Sequence, residues 1–387
     1  MRRVIGSITV GLLGAAVLVA QQAAPAAPGQ LRPRPGTGRD TEWPAPTIRE
    51  YKPASTLVVA QHPVPRARYP VVDIHSHHPA PISPEQLDAV VASMDALNLQ
   101  VVVNLSGGSG QRLAGAIDAI RKSRHASRMV LFANVDFRSG VGPGFGARAA
   151  AQLDADIRAG ALGLKIYKDL GLRLRKADGT RLAVDDPELA PIWDTCGRLG
   201  VPVLIHTAEP APFFDPIDYA NERWLELALY PERRYPAGQF PRFDEVIAER
   251  DRMFARHPQT TFIMAHLGYH ANDLARLGRV LDRLPNVHAD VAAILAELGR
   301  QPRAARAFLT KYQDRILFGK DSYQPDEYPY YWRTFETADE YFDYYRGYHA
   351  FWKLYGLDLP DEVLRKVYYG NALRITPRMP EAGFPKE

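Results

Sequence analysis

YPVVDIHSHHP, residues 69–79, places three histidines in four positions directly behind an apolar, β-branched run, in a chain with only 11 histidines among 387 residues. Read as a buried strand, the run turns Asp73, His75 and His77 to one face and Ile74, Ser76 and His78 to the other, because side chains alternate along a strand. Two imidazoles two residues apart at a strand end can close on one metal ion, whose ligand nitrogens need lie only about 2.1 Å from it. By itself such a pair is equally a pair of satisfied or surface histidines. The rest of the chain has to decide.

From Tyr69 onward, apolar runs alternate with amphipathic stretches of 10 to 15 residues. Eight strands are predicted, at 70–76, 99–106, 129–135, 162–168, 201–207, 260–266, 286–292 and 315–321. Between them, SPEQLDAVVASMDALN opens with Ser83 as N-cap, Pro84 in the first position and Glu85 in the first turn, and DDPELAPIWDTCGRLG ends in Gly200. Nearly uniform apolar strands separated by helices imply a parallel sheet covered on its outer face. Eight such units imply an α/β chain closed as a (β/α)8 TIM barrel. A doubly wound open sheet is the alternative, but no glycine-rich phosphate loop follows the first strand; SGGSGQRLAG after the second reads as a flexible turn.

The ends of these strands carry the chemistry. His206 closes VPVLIHT and His266 closes FIMAHLG, each a single ionisable group behind apolar or small residues, and Asp321 closes RILFGKD. Each alone has a bland reading: a core histidine, a backbone-bonded imidazole, a helix N-cap. In a parallel barrel, however, all these ends open on one face, where the loops build the active site. Three imidazoles and a carboxylate there suit one divalent metal, and a charged group buried without a partner costs several kcal/mol. The stretch from Pro210 to Arg242 is too long for an ordinary strand-to-helix loop and reads as a lid or pocket wall. The Tyr- and Trp-rich segment 326–356 reads as a second wall or as aromatic helix packing.

The net charge of +4 points weakly to nucleic acid, but residues 1–68 hold 9 Lys/Arg and 3 Asp/Glu, leaving 39 basic and 41 acidic residues in the body. There is no basic footprint for a phosphate backbone, and nucleic acid is excluded as a partner. The start has a basic n-region, an uncharged run from Val4 to Ala20 and then small residues, the layout of a secretory signal peptide. Residues 1–26 are assigned to it and export to the periplasm or medium is expected, with no stable membrane insertion after cleavage. Residues 27–69 read as a proline-rich linker or extended arm, with STLVVAQHPV (55–64) its one strand-like piece. Residues 70–376 are the catalytic barrel and 377–387 a tail. The single cysteine, Cys196, lies mid-helix with no histidine near it in sequence, so a buried apolar role is expected.

HxH on strand 1, His on strands 5 and 6 and Asp on strand 8 resemble the amidohydrolase superfamily. PVVDIHSHH, VPVLIHTAEP, IMAHLG, ILFGKDS and the closing VYYGNALRI are most similar to its amidohydrolase-related branch, which includes aminocarboxymuconate semialdehyde decarboxylase, γ-resorcylate decarboxylase and lactone hydrolases. The resemblance implies that His75, His77, His206 and Asp321 hold one divalent metal, zinc or alternatively manganese, while His266 stays outside to orient water or polarise the substrate. It implies a metal-activated water, with Asp321 taking the proton and passing it on. Hydrolysis of a small carboxylated lactone, amide or ester is the leading expectation, and non-oxidative decarboxylation of a hydroxyaromatic or unsaturated acid the alternative. Lys165, Tyr167 and Glu209 are the candidate substrate-binding residues. Lys165 stands on strand 4, where two-metal members carry a carboxylated lysine, but one ion is expected here, with Lys165 on a substrate carboxylate or simply at the surface. Lys320 replaces a small residue before Asp321, and alternation directs it away from the pocket. His78 and His288 are expected in supporting positions. A small-molecule substrate is the expected partner, and a homodimer is left open.

Overall fold

The computed structural model describes residues 47–48, 50–138, 140–349 and 351–385. The expected signal peptide and the first part of the arm lie outside them. The eight strands are β1 (Val71–His77), β2 (Leu99–Asn104), β3 (Met129–Leu131, resumed as Ala133–Asn134), β4 (Leu164–Ile166), β5 (Val203–Ile205), β6 (Phe262–Met264), β7 (Val287–Asp290) and β8 (Ile316–Leu317, resumed as Asp321–Ser322). Every neighbouring pair is parallel. Breaks within β3 and β8 divide the ladder formally into two sheets, but the two halves of each broken strand pair with opposite neighbours. Asp321 aligns with Ser76, and the Ile74 N–H donates to the Phe318 carbonyl at 3.1 Å, so β8 returns to β1 and closes the barrel.

The closure needs a close approach at the β8 break. A Cβ on Gly319 would lie 2.8 Å from the His75 Cβ, so only glycine lets this backbone pass beside His75. The helices behave as their sequences dictate. Pro84–Leu97 is capped reciprocally, Ser83 Oγ accepting from the Gln86 N–H and Gln86 Oε1 from the Ser83 N–H, and it ends at Asn98 in the left-handed region, φ 67°. Its Leu87, Val91, Met94 and Leu97 form one buried stripe against the barrel. Ala190–Leu199 ends at left-handed Gly200 and buries Cys196 completely, where lack of solvation pushes the thiol well up. No helix of the described residues is long and apolar enough to cross a membrane.

Two segments depart from the barrel repeat. The insertion after β5 folds into short helices at Ala211–Phe213, Trp224–Leu229 and Pro231–Arg233, and forms the wall expected of it. After β8, Tyr328–Glu336 buries Tyr328, Tyr331, Trp332 and Phe335, while the following residues make a small hairpin, Phe342–Asp343 with Lys353–Leu354. This region is therefore both aromatic packing and, through Arg346 and Tyr348, pocket wall. Residues 55–64 are not a strand: a closed barrel offers no free edge, and Val58 is fully exposed. That part of the arm is tethered instead by the His62 N–H, which donates to Asp339 Oδ2 at 2.7 Å. The tail packs too, with Met379 buried and Phe384 against Tyr369 at 5.4 Å between rings.

Candidate metal centre

The residues singled out at the ends of β1, β5, β6 and β8 converge at one mouth of the barrel. His75 Nε2 and His77 Nε2 each lie 3.5 Å from Asp321 Oδ1. This trio has the spacing of a metal-ligand set, and a second grouping joins His75 to His266 and Asp290. His206 belongs to neither grouping; its Nδ1 is 3.3 Å from His266 Nε2. His75 and His266 pack with ring centroids 4.9 Å apart, His206 and His266 at 4.6 Å.

Hydrogen bonds decide which nitrogen of each ring faces inward. His75 Nδ1 meets Asp290 Oδ2 at 2.9 Å, so the proton sits on Nδ1 and Nε2 keeps its lone pair for the centre. His266 Nδ1 donates to the Ala292 carbonyl at 2.8 Å, leaving Nε2 with a lone pair. Tyr269 Oη donates to Glu209 Oε2 at 2.8 Å and is then free to accept from His206 Nε2 at 2.9 Å, which leaves the lone pair of His206 on Nδ1. His77 Nδ1 is held by Ser106 Oγ at 2.8 Å. Two imidazole lone pairs facing each other at 3.3 Å, beside a third ring and a carboxylate, repel unless a proton or a cation lies among them. The donor set, imidazole nitrogens and one carboxylate oxygen, fits a borderline divalent ion.

Electrostatics reinforce this. Burial, helped by the Lys165 charge, keeps His75 well below the ordinary histidine range and His77 at about 4; burial likewise lowers His206 and His266. Neutral imidazoles are what a metal requires. Burial works to raise the Asp321 carboxyl, but His75, His266, His77 and Lys165 outweigh it and hold the group ionised, below its usual range. Backbone geometry supports the placement: His266, Leu267 and Tyr269 have φ of 58°, 51° and 56°, and Asp321 has φ 82°, all in the left-handed region. Such turns are costly for non-glycine residues and concentrate where function holds them. Within that run Gly268 shares the left-handed geometry at φ 60°, and a Cβ there would press on the ends of Arg250 and Met264, at 2.6 and 2.8 Å.

The candidate substrate residues are placed differently from one another. Lys165 is 1% exposed, not at the surface, and its Nζ lies 3.3 Å from His75 Nε2, beneath the metal-site groups; burial lowers its ammonium to about 8 against the pull of Asp290 and Asp321. Tyr167 is partly exposed and donates from Oη to the Leu105 carbonyl at 3.0 Å, its ring 6.0 Å from that of His77. Glu209 lines the pocket but is already paired with Lys168 and Tyr269. Lys320 turns away, as alternation requires, to Glu327 and the Ser322 carbonyl. His78 bonds Ser76 Oγ at 2.9 Å, and His288 is buried on the β7 strand with neither ring nitrogen hydrogen-bonded.

Two supporting residues escaped the sequence reading. Asp290, fully buried, uses Oδ1 to accept the N–H groups of His266 (2.9 Å) and Ala292 (3.0 Å) and Oδ2 for His75, so one carboxylate orients two histidines. It ends the apolar run of β7 much as Asp321 ends that of β8, and that signal would have found it. Tyr269, three residues after His266, had no signal, because its role depends on the left-handed turn. Above the centre lies a cavity of about 240 Å³ bounded by His206, His266, Asp321 and the two inserted walls.

Residues 59–377 match the model of the amidohydrolase family known as amidohydrolase 2. The chain belongs to that family. No curated protein matches the chain. Among solved structures, the chain is similar to 2,6-dihydroxybenzoate decarboxylase from Rhizobium, 16% identical over 79% of this chain and 98% of that one, with a TM-score of 0.49. The same named enzyme in complex with 2,6-dihydroxybenzoate gives 16% identity, the same coverage and a TM-score of 0.50. A dihydroxybenzoic acid decarboxylase from Polaromonas, with bound manganese and 2-nitroresorcinol, is 13% identical over 79% of this chain and 96% of that one, with a TM-score of 0.49. The family is metal-dependent and enzymatic, and a His–His–Asp cluster is present at the mouth of this barrel.

Proposed function

We propose that the chain is a metal-dependent hydrolase acting on a small carboxylated lactone, amide or ester. The observation that carries this reading is the convergence of His75 Nε2 and His77 Nε2 on Asp321 Oδ1, at 3.5 Å each, with the lone pairs of His206 and His266 turned to the same space. In this reading His75, His77, His206 and Asp321 hold one divalent ion, zinc or alternatively manganese. Such an ion, when bound, supplies a Lewis acid and brings the pKa of its water to about 7.

The remaining work falls to the chain. Asp321, ionised at neutral pH, takes the proton of the attacking water and delivers it to the leaving group. His266, with Nδ1 committed to Ala292, offers Nε2 as an acceptor that orients that water. Asp290 fixes the tautomer of His75 and the backbone of His266 together. The walls at 211–233 and 342–354 limit solvent over the reacting bond. A mature enzyme outside the cytoplasm, acting on a small molecule as a monomer or homodimer, belongs to the same proposal, on the pattern of residues 1–26.

A second reading uses the same donors: non-oxidative decarboxylation of a small hydroxyaromatic or unsaturated acid, with His266 handling the proton. The decarboxylases among solved structures of this fold prompt it. Metal content and turnover on a panel of lactones and hydroxyaromatic acids test both. His206→Ala is expected to lose ion and activity together, and His266→Ala to keep most of the ion and lose turnover. Equal metal loss in the two variants overturns the division of roles; released carbon dioxide, in place of an opened ring or cleaved amide, selects the second reading.

A further inference from the structure

The charges around the cavity leave one cation over. Four cationic side chains line it: Lys168, Arg223, Arg233 and Arg346. Lys168 pairs with Glu209, Arg223 with Glu226 and Glu297, and Arg233 with Glu226 at 2.7 Å. The remaining carboxylate of the wall, Glu222, is taken by Arg300 at 3.1 Å, and Asp321 belongs to the metal-site cluster. Arg346 alone among these described cations has no carboxylate within 4.0 Å. Its neighbours are tyrosines, with the Tyr345 ring 5.6 Å from the guanidinium and Tyr331, Tyr344 and Tyr348 close enough to act on its charge. Nearby Lys320 adds a like charge, itself neutralised by Glu327. A half-buried guanidinium presents five N–H donors in a planar fork that matches a carboxylate. With no carboxylate of the chain paired to it, this fork is open to an anion that enters the cavity.

We propose that Arg346 is the anion-binding, specificity-determining residue of this site, receiving a carboxylate of the substrate on the wall across the cavity from the imidazole cluster. This rests on the functional reading above for what happens at the other end of the molecule. It moves the anion-binding role from Lys165, which lies buried against His75, to a residue of the segment after β8. The enzyme then selects substrates with an anionic group separate from the bond that reacts.

The probes are 3-acetylbenzoate and 1,3-diacetylbenzene, which share shape, differ by the one carboxylate and offer no bond to hydrolyse. Titrated calorimetrically into the full, zinc-loaded chain, 3-acetylbenzoate is expected to bind about 10- to 100-fold more tightly, the range of a charge-assisted hydrogen-bonded pair. Arg346→Gln is expected to bring the two affinities within about threefold of each other without changing zinc content, and Arg346→Lys to restore part of the difference. Modification of Arg346 by phenylglyoxal, located by peptide mass, is expected to be blocked by 3-acetylbenzoate and not by 1,3-diacetylbenzene; this readout needs no variant. An unchanged affinity ratio in Arg346→Gln, equal binding of both probes by the wild type, no binding of either, or unprotected modification overturns the proposal. A wild-type chain that holds no zinc but still prefers 3-acetylbenzoate through Arg346 leaves this inference standing and sinks the metal-dependent reading instead.

Discussion

Replacing Asp290 by Asn tests how the centre is built, since it alters one oxygen and almost no volume. Oδ1 of Asp290 accepts two backbone N–H groups, from His266 and Ala292, and Oδ2 faces His75 Nδ1 at 2.9 Å. The two N–H groups force the amide oxygen of an asparagine into the Oδ1 position, so its NH2 group must face His75. Two donors then oppose each other, unless His75 moves its proton to Nε2, the nitrogen that points at Asp321. Either way the metal-facing lone pair is lost or the ring is displaced. Supporting groups of this kind alter metal affinity by about 10- to 100-fold, which at 1.4 kcal/mol per decade is about 1.4 to 2.8 kcal/mol. Competition against a chromophoric chelator with zinc or manganese measures this directly, and circular dichroism shows whether the barrel is intact. An Asp290→Asn chain that holds metal within threefold of the wild type, with its fold unchanged, would refute the assignment of tautomers and with it the reasoning about the donor set.

Three further outcomes are expected. Arg223→Ala removes the cation bonded to Glu226, Glu297 and His349 and leaves Glu297 with no other ion-pair partner, so urea unfolding is expected to show a loss of about 3 to 5 kcal/mol, partly recovered by adding Glu297→Gln; a loss under about 0.5 kcal/mol contradicts a buried network joining the two walls. Burial opposes ionisation of Glu226, but His349, Arg223 and Arg233 hold it at about 2, below the ordinary 4.5; its contribution is therefore intact above pH 4.5 and lost as pH falls toward 2, on the order of 3 kcal/mol, and Glu226→Gln is expected to flatten that part of the stability–pH curve. Lys165→Met removes a positive charge beside His75 Nε2 and is expected to tighten metal binding while keeping one ion per chain; weaker binding, or loss of a second ion, points instead to a metal-bridging lysine.

The barrel was readable because its signals are local and repeated. Each strand is an apolar run long enough to announce itself, two helix ends show their caps, at Ser83 and Gly200, and the ionisable residues that end β1, β5, β6 and β8 stand out against apolar neighbours. Strand periodicity also correctly sent Lys320 away from Asp321. What escaped depends on geometry that sequence does not encode locally. The left-handed run through His266, Leu267 and Tyr269 turns Tyr269 back onto His206, and no three-residue pattern announces that reversal. The unpaired state of Arg346 exists only after the other charges around the cavity have found their partners on different segments, as Arg223 finds Glu297 and Arg300 finds Glu222. The strand expected at 55–64 failed for the complementary reason: β-propensity needs an edge to pair with, and β8 has already closed the sheet onto β1.

The most direct test is anomalous X-ray diffraction from crystals of the zinc- or manganese-loaded chain, recorded at the absorption edge of that metal. One peak is predicted at the mouth of the barrel, about 2.0 to 2.2 Å from His75 Nε2, His77 Nε2 and an oxygen of Asp321. No peak among those three side chains, or a peak bound elsewhere on the molecule, would contradict the account.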